Sequence, residues 1–234
     1  MKNIEINKKL IALITILAGL LVTIDLFAQD TGGNAVYDAT IRANVDGVKQ
    51  ALDTGADINA QSDNGYSPLM WACTYSSRAN YAEVAKYLIL AGADVNITAN
   101  DGTTALLEAA ESSAEITQLL LNKGADIKAR RDDGRGLFTS CIFGILMDRV
   151  DYELAEFVLS KGADVNEAAT SGDIEGWAPI HYAVSNGNEE LIRFLVKNGA
   201  DVNATTKDGK TPLSIASEAG NEEIIAILKS HKAK

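Results

Sequence analysis

Gly-Ala-Asp recurs at Gly55, Gly92, Gly124, Gly162 and Gly199, each time followed by an aliphatic residue, and in four of the five copies the residue after that is asparagine. The intervals are 37, 32, 38 and 37 residues. Self-similarity at a period of about 20–50 residues marks a stacked array, because one short unit cannot bury its apolar face without a neighbour. A turn glycine follows each triplet, at Gly65, Gly102, Gly134, Gly176 and Gly209. Three of these turns lead into close copies of one helix start, Ser67-Pro68-Leu69-Met70-Trp71-Ala72, Ala178-Pro179-Ile180-His181-Tyr182-Ala183 and Thr211-Pro212-Leu213-Ser214-Ile215-Ala216.

Each part of the repeat has a physical reason. Ser67 and Thr211 are suited to cap a helix whose first residue is proline, since the N–H missing there has no partner within the helix anyway. Small residues such as Ala72, Ala109, Ala110, Ala183 and Ala216 let first helices of adjacent units approach closely. A second helix follows, as in Leu191 to Val196, with Asn188 as cap and Glu189 and Glu190 at its positive end. Gly199 and its counterparts supply the left-handed residue that ends it, and Asp-x-Asn leads into an extended connection towards the next turn.

The combined Asp-Gly-x-Thr-Pro-Leu and Leu-Leu-x-x-Gly-Ala-Asp-x-Asn pattern resembles the ankyrin repeat over residues 35–230. The resemblance implies an all-α fold, a solenoid of about six helix-turn-helix units with short β-hairpin-like connections, at about 35–62, 63–98, 99–131, 132–168, 174–206 and 207–231. The first unit lacks a hairpin and the last ends in polar Lys229-Ser230-His231-Lys232, as terminal units that keep one wet face should. Three departures stand out against a family unit near 33 residues. Extra residues lie around Tyr75 to Tyr81 and around Ile145 to Tyr152, and an insertion runs from Glu167 to Glu175. The fourth unit also carries Gly134-Arg135-Gly136-Leu137-Phe138 where the Thr-Pro-Leu start belongs, which makes its helix start the least defined. Such insertions fit both a shaped binding face and neutral drift in exposed loops.

The N-terminal residues read as a targeting signal rather than as part of the array. Lys2, Lys8 and Lys9 precede an apolar run from Leu10 to Val22, and Ala28 suits the position before a cleavage. The segment 1–28 is therefore expected to be a secretory signal peptide, with an uncleaved inner-membrane anchor as the alternative. The run is short for a hydrocarbon core of about 30 Å, and Asp25 interrupts its extension. Removing residues 1–28 leaves 18 basic and 30 acidic residues, a surface that repels phosphate backbones and anionic lipid heads. The expected location is periplasmic or extracellular, the expected partner another protein, with neither nucleic acid nor membrane surface, and the expected state monomeric.

Little in the sequence points to catalysis, and no catalytic residue, cofactor site or metal site is assigned. His181 and His231 lack the spacing of a zinc site or a nucleophile–base pair. The resemblance implies a structural hydrogen-bonding role for His181. Cys73 and Cys141 fall in first helices two units apart, so at helix spacings of 8–10 Å they are separated by roughly 16–20 Å, beyond disulfide reach. Two reduced, buried thiols are expected. Asp132-Asp133-Gly134 and Ser62-Asp63-Asn64-Gly65 lack the ligand alternation of a calcium loop and read as turns.

Binding in the ankyrin family generally uses the concave side, lined by hairpin tips and first helices. Carried over position by position, the residues after the turn glycines are Tyr66, Thr103, Arg135, Trp177 and Lys210, and helix ends add Tyr75, Glu111, Ser112 and Phe143. The partner-binding set is Tyr66, Tyr75, Arg135, Phe143, Trp177 and Lys210. Aromatic and arginine side chains are favoured anchors there, while folding of Tyr66 and Trp177 onto neighbouring hairpins as packing is the competing reading. Trp71, Tyr182 and Ile215, at a shared inward position, are expected in the core with Leu88, Ile89, Leu119, Leu120, Val158, Leu159, Leu195, Val196, Ile227 and Leu228. Small exported bacterial proteins that resemble this chain support a periplasmic catalase against peroxide or act as immunity proteins that cap a delivered toxin. A secreted effector is a further reading.

Overall fold

In the computed structural model, residues 33–233 are described, and they form twelve α-helices in six antiparallel pairs. The signal or anchor expected over residues 1–28 lies outside the described residues. The pairs are α1 (Ala35–Ile41) and α2 (Val45–Asp53), α3 (Pro68–Thr74) and α4 (Ala79–Leu90), α5 (Ala105–Ala110) and α6 (Ala114–Asn122). Then follow α7 (Leu137–Leu146) and α8 (Tyr152–Ser160), α9 (Pro179–Asn186) and α10 (Glu189–Lys197), α11 (Pro212–Ala219) and α12 (Glu222–Ser230). Among the described residues no helix is long and apolar enough to cross a membrane.

Local chemistry sets each boundary. Ser67 Oγ accepts from Met70 N, Thr211 Oγ1 from Ser214 N and Asn188 Oδ1 from Leu191 N, each satisfying a first-turn donor. At the far end of each second helix the Gly-Ala-Asp glycine is left-handed, with φ from 85° at Gly55 to 100° at Gly162. The following alanine N–H then closes on a carbonyl five residues back, as in Ala200 N to Leu195 O and Ala93 N to Leu88 O. The connections contain no extended strands among the described residues, only a single bridge between Thr98 and Thr104. Their hairpin character lies in five-residue turns, closed in one unit by Ala99 N to Thr103 O at 2.9 Å and Gly102 N to Ala99 O at 3.0 Å.

Two hydrogen-bond systems join unit to unit. Turn tips bond in sequence, Asn100 N to Asn64 O, Asp132 N to Asp101 O, Thr170 N to Asp133 O and Lys207 N to Glu175 O. Beneath them runs a ladder of asparagines. Asn96 donates to Gly124 O and accepts from Asp126 N, and Asn166 does the same with Gly199 O and Asp201 N. The third unit has Lys128 at this position, and lysine has no acceptor to offer. The ladder is therefore interrupted at the joint between the third and fourth units.

The core runs the length of the array. Leu69, Met70, Leu88, Leu106, Leu120, Phe138, Leu154, Leu195 and Leu228 are buried within it, first helices stacked on first helices from α1 to α11. Cys73 and Cys141 are free and buried, as expected. Burial pushes both thiols up, so they behave as small apolar groups. Trp71 is buried; Leu119, Leu159, Val196 and Ile215 are half-buried and pack against the core from its edge, whereas Tyr182 is half-buried outside it, which corrects its assignment to the core. The Tyr37 and Tyr75 rings lie 6.4 and 5.3 Å from the Trp71 ring, whereas the Tyr182 ring lies 5.2 Å from that of half-buried Trp177.

Candidate interaction face

The turns and first helices present a continuous face, and its side chains fall into three groups. The first is aromatic. Trp71 lies 5.3 Å from Tyr75, whose ring lies 5.3 Å from Tyr81, with Arg78 over the Tyr75 ring. Tyr81 Oη donates to Ile41 O at 2.7 Å, so the extra residues of the second unit pin its loop onto the first unit. Tyr75 is left half-buried at the surface of this group.

The second group is a charged network across the third and fourth units. Arg131 donates to Thr103 Oγ1 at 2.8 Å, to Glu108 Oε1 at 3.2 Å and to Glu111 Oε1 at 2.9 Å. Ser140 Oγ adds a hydrogen bond to Glu111 Oε1. Burial raises the Glu111 carboxyl above its usual range even though Arg131 opposes it. Burial acts against the Arg131 charge too, but the two carboxylates hold that charge more firmly than in water. Tyr66 belongs here, since its hydroxyl donates to Glu108 Oε1 at 3.3 Å and its ring packs on the core. Thr103, beside it in the row, is buried.

The third group is again aromatic, and all three of its rings are half-buried. Phe143 meets Tyr182 edge-on at 4.9 Å, Trp177 lies 5.2 Å from Tyr182, and the Arg135 guanidinium stands 5.4 Å over Phe143. All four side chains are half-buried. Despite burial, hydrogen bonds from Arg135 hold the Asp133 carboxyl below its usual range. Lys210, at the far end of the row, pairs with Glu218 at 2.7 Å between exposed side chains, a contact of small energetic weight.

Of the six residues expected to meet a partner, the structure therefore gathers Arg135, Phe143 and Trp177 into one cluster, sets Tyr75 in a second, commits Tyr66 to internal bonding, and leaves Lys210 alone near the C-terminal end. Sequence reasoning placed Tyr182 in the core although it belongs to the rim of the cluster. It also overlooked Arg131, because a charge two residues before an Asp-Gly turn carries no pattern that shows which carboxylates it will meet.

The least defined helix start is resolved by a residue at the far end of the same unit. Gly136 has no side chain with which to cap α7, and Glu167 supplies the acceptor instead, taking hydrogen bonds from Gly136 N and Thr139 N. Arg130 holds the same carboxylate at 2.6 Å. The insertion after Glu167 then forms a 3₁₀ turn at Gly172–Ile174 and widens the fifth turn, which closes through Ala169 N to Trp177 O.

His181 is enclosed rather than accessible. Its Nδ1 accepts from Ala178 N at 3.0 Å and its Nε2 lies 3.1 Å from Ala204 O, which defines a neutral ring protonated on Nε2. Burial lowers its pKa, in keeping with a structural bridge between the fifth unit and the connection that follows it.

Comparison with known proteins agrees with this architecture. The family described as ankyrin repeats (3 copies) matches residues 6–99, 36–131, 74–169 and 144–234. The chain is 32% identical over 86% of its length to the nuclear factor NF-kappa-B p105 subunit of Gallus gallus, covering 20% of that protein. It is 29% identical over 79% of its length to protein glp-1 of Caenorhabditis elegans, covering 14% of it. A putative ankyrin repeat protein of fowlpox virus is 32% identical over 67% of this chain, which spans 46% of that relative. The chain thus spans less than half the length of each of these relatives.

Proposed function

Because the chain belongs to the ankyrin-repeat family, we propose that it is a non-enzymatic module that takes a protein partner on a concave face of turns and first helices, after export from the cytoplasm. The observation that carries the reading is the set of half-buried Tyr75, Arg135, Phe143, Trp177 and Tyr182 on the second, fourth and fifth units, in an array whose turns are held in register by tip-to-tip hydrogen bonds. Side chains of this kind bring large contact area at small entropic cost, and they are the residue types that dominate measured hot spots. A scaffold whose turns are tied together has little ordering left to lose when a partner docks.

The test is capture from the exported fraction of the source cells with the wild-type chain and with a Tyr75→Ala, Trp177→Ala variant. A protein retained by the first and lost by the second, with both chains melting at similar temperature, supports the reading. Equal retention by both would move the binding surface elsewhere. Export is tested separately by the N-terminal sequence of the mature protein, expected to begin at Gln29.

A further inference from the structure

Four of the seven arginines, Arg130, Arg131, Arg135 and Arg193, pair with a carboxylate. The other three, Arg42, Arg78 and Arg149, form no ion pair among the described residues. All three stand where a first helix gives way to a second, Arg42 closing α1, Arg78 preceding α4 and Arg149 between α7 and α8. First helices start at the turns and run away from them, so these links make the far rim of the first-helix face. Arg42 and Arg78 are exposed and Arg149 is half-buried. The two lengthened links carry one pattern, Arg78-Ala79-Asn80-Tyr81 and Arg149-Val150-Asp151-Tyr152, on either side of the shorter Glu111-Ser112-Ser113 link of the third unit. Contacts run from link to link along the rim. Tyr81 Oη donates to Ile41 O, next to Arg42, and Ser112 Oγ donates to Thr74 O, next to Tyr75. Val150, Ala110 O and Glu111 O close on Gly144, where an added Cβ would lie 2.6, 2.9 and 3.1 Å from them. The Arg78 guanidinium stands 5.7 Å from the centre of the Tyr75 ring. Burial raises the Tyr75 phenol, Tyr81 and Glu108 add to the rise, and the Arg78 and Arg149 charges both oppose it, so cations from two units act on this one half-buried ring.

We propose that Arg42, Arg78 and Arg149, with the Tyr75 ring beside them, bind an acidic segment of the protein partner that carries at least two carboxylates and lies along the rim. The inference rests on the protein-binding reading above and names the chemistry that reading leaves open. Each guanidinium takes its own carboxylate, which its planar fork fits, and bonds between charged partners are the stronger ones. The net charge of -11 disfavours approach of a broadly acidic protein, so the acidic segment is short and belongs to a surface otherwise neutral or basic. At physiological salt charges act over about 8 Å, so the arginines in contact outweigh the acidic remainder of the chain.

The experiment pans a displayed library of random linear dodecapeptides on the full chain. Affinities of the enriched peptides are then measured for wild type, Arg42→Gln, Arg78→Gln, Arg149→Gln, the triple variant and Arg193→Gln. Arg193 is exposed on a second helix, so its variant controls for the loss of one positive charge anywhere on the chain. The Arg78 side chain makes no capping bond to α4, and melting temperatures verify that every variant stays folded. The expected result is enriched peptides that share at least two Asp or Glu residues and bind each single rim variant about fivefold more weakly, the triple variant about a hundredfold, and Arg193→Gln as tightly as wild type. Enriched peptides with fewer acidic residues, an equal loss in Arg193→Gln, unchanged affinity for the triple variant, or no enriched peptide at all would overturn the acidic-segment rim. A short oligothymidylate that binds with the same arginine dependence where no acidic peptide does would overturn it in favour of phosphate. Peptides lost on Trp177→Ala but indifferent to the triple variant would overturn the rim and leave the binding reading standing, whereas peptides indifferent to every change on the turn and first-helix face would overturn both.

Discussion

His181 shows at the scale of one residue how a polar group comes to be part of a core. Its ring satisfies Ala178 N and Ala204 O only when neutral, and burial lowers its pKa from the ordinary value of 6.5. Below pH 6.5 the unfolded chain takes up a proton that the folded chain resists. The residue's contribution is therefore complete above that pH and declines as pH falls towards its folded pKa. Urea melts at pH 7.5, 6.5 and 5.5 should show wild type losing stability at no more than about 1.4 kcal/mol per pH unit from this group. In His181→Ala that component should be absent, with an overall loss of about 2–3 kcal/mol at pH 7.5 from two buried groups left unpaired. Two glycines give a second residue-scale contrast. Gly199 has φ 90° with open space where a Cβ would sit, while Gly102 has φ 79° with Arg130 O at 2.7 Å from that point. Gly199→Ala should cost about 1–2 kcal/mol from backbone strain alone. Gly102→Ala should cost about 3 kcal/mol or more, since the neighbouring turn must also move. Equal losses in thermal melts would mean that the tip-to-tip packing is not a real constraint.

At the scale of the element, what the sequence made legible was what is periodic. Glycine at the helix end, proline at helix starts and small residues on the first helices repeat at fixed offsets, and each dictates a local conformation by itself. The start of α7 was not legible, because its cap is Glu167, about 30 residues away in a segment that reads as an insertion. The asparagine ladder was visible only as a composition, four asparagines and one lysine; its role between units emerges from Asn96 and Asn166 bonding the next Gly-Ala-Asp. Lys128 keeps the local turn, with its N–H on Asp126 Oδ1 at 2.8 Å, yet forms no rung. Lys128→Asn should therefore restore bonds to Gly162 O and Asp164 N and stabilise the chain by about 1 kcal/mol. For an array of this size that corresponds to a rise in melting temperature of about 2–4 °C. A fall in melting temperature would show that the joint between the third and fourth units is spaced differently from the others.

For the whole molecule, stability is the sum of units and their interfaces, so an interface can be weakened without abolishing the fold. The candidate site follows the same division. Its location along the turns and first helices was legible from the family pattern. The division of labour within it was not, because Tyr66 and Tyr75 look alike in sequence, and only packing shows that one hydroxyl is engaged by Glu108 while the other ring stacks with Trp71 and Tyr81. The central claim is that a protein partner docks on this face, and hydrogen exchange of the chain alone and saturated with the captured partner tests it most directly. The account predicts slowed exchange in the turns at 62–66, 131–135 and 169–177 and in α3, α7 and α9, with α4, α6, α8 and α10 unchanged. Protection confined to α4, α6, α8 and α10 would contradict it.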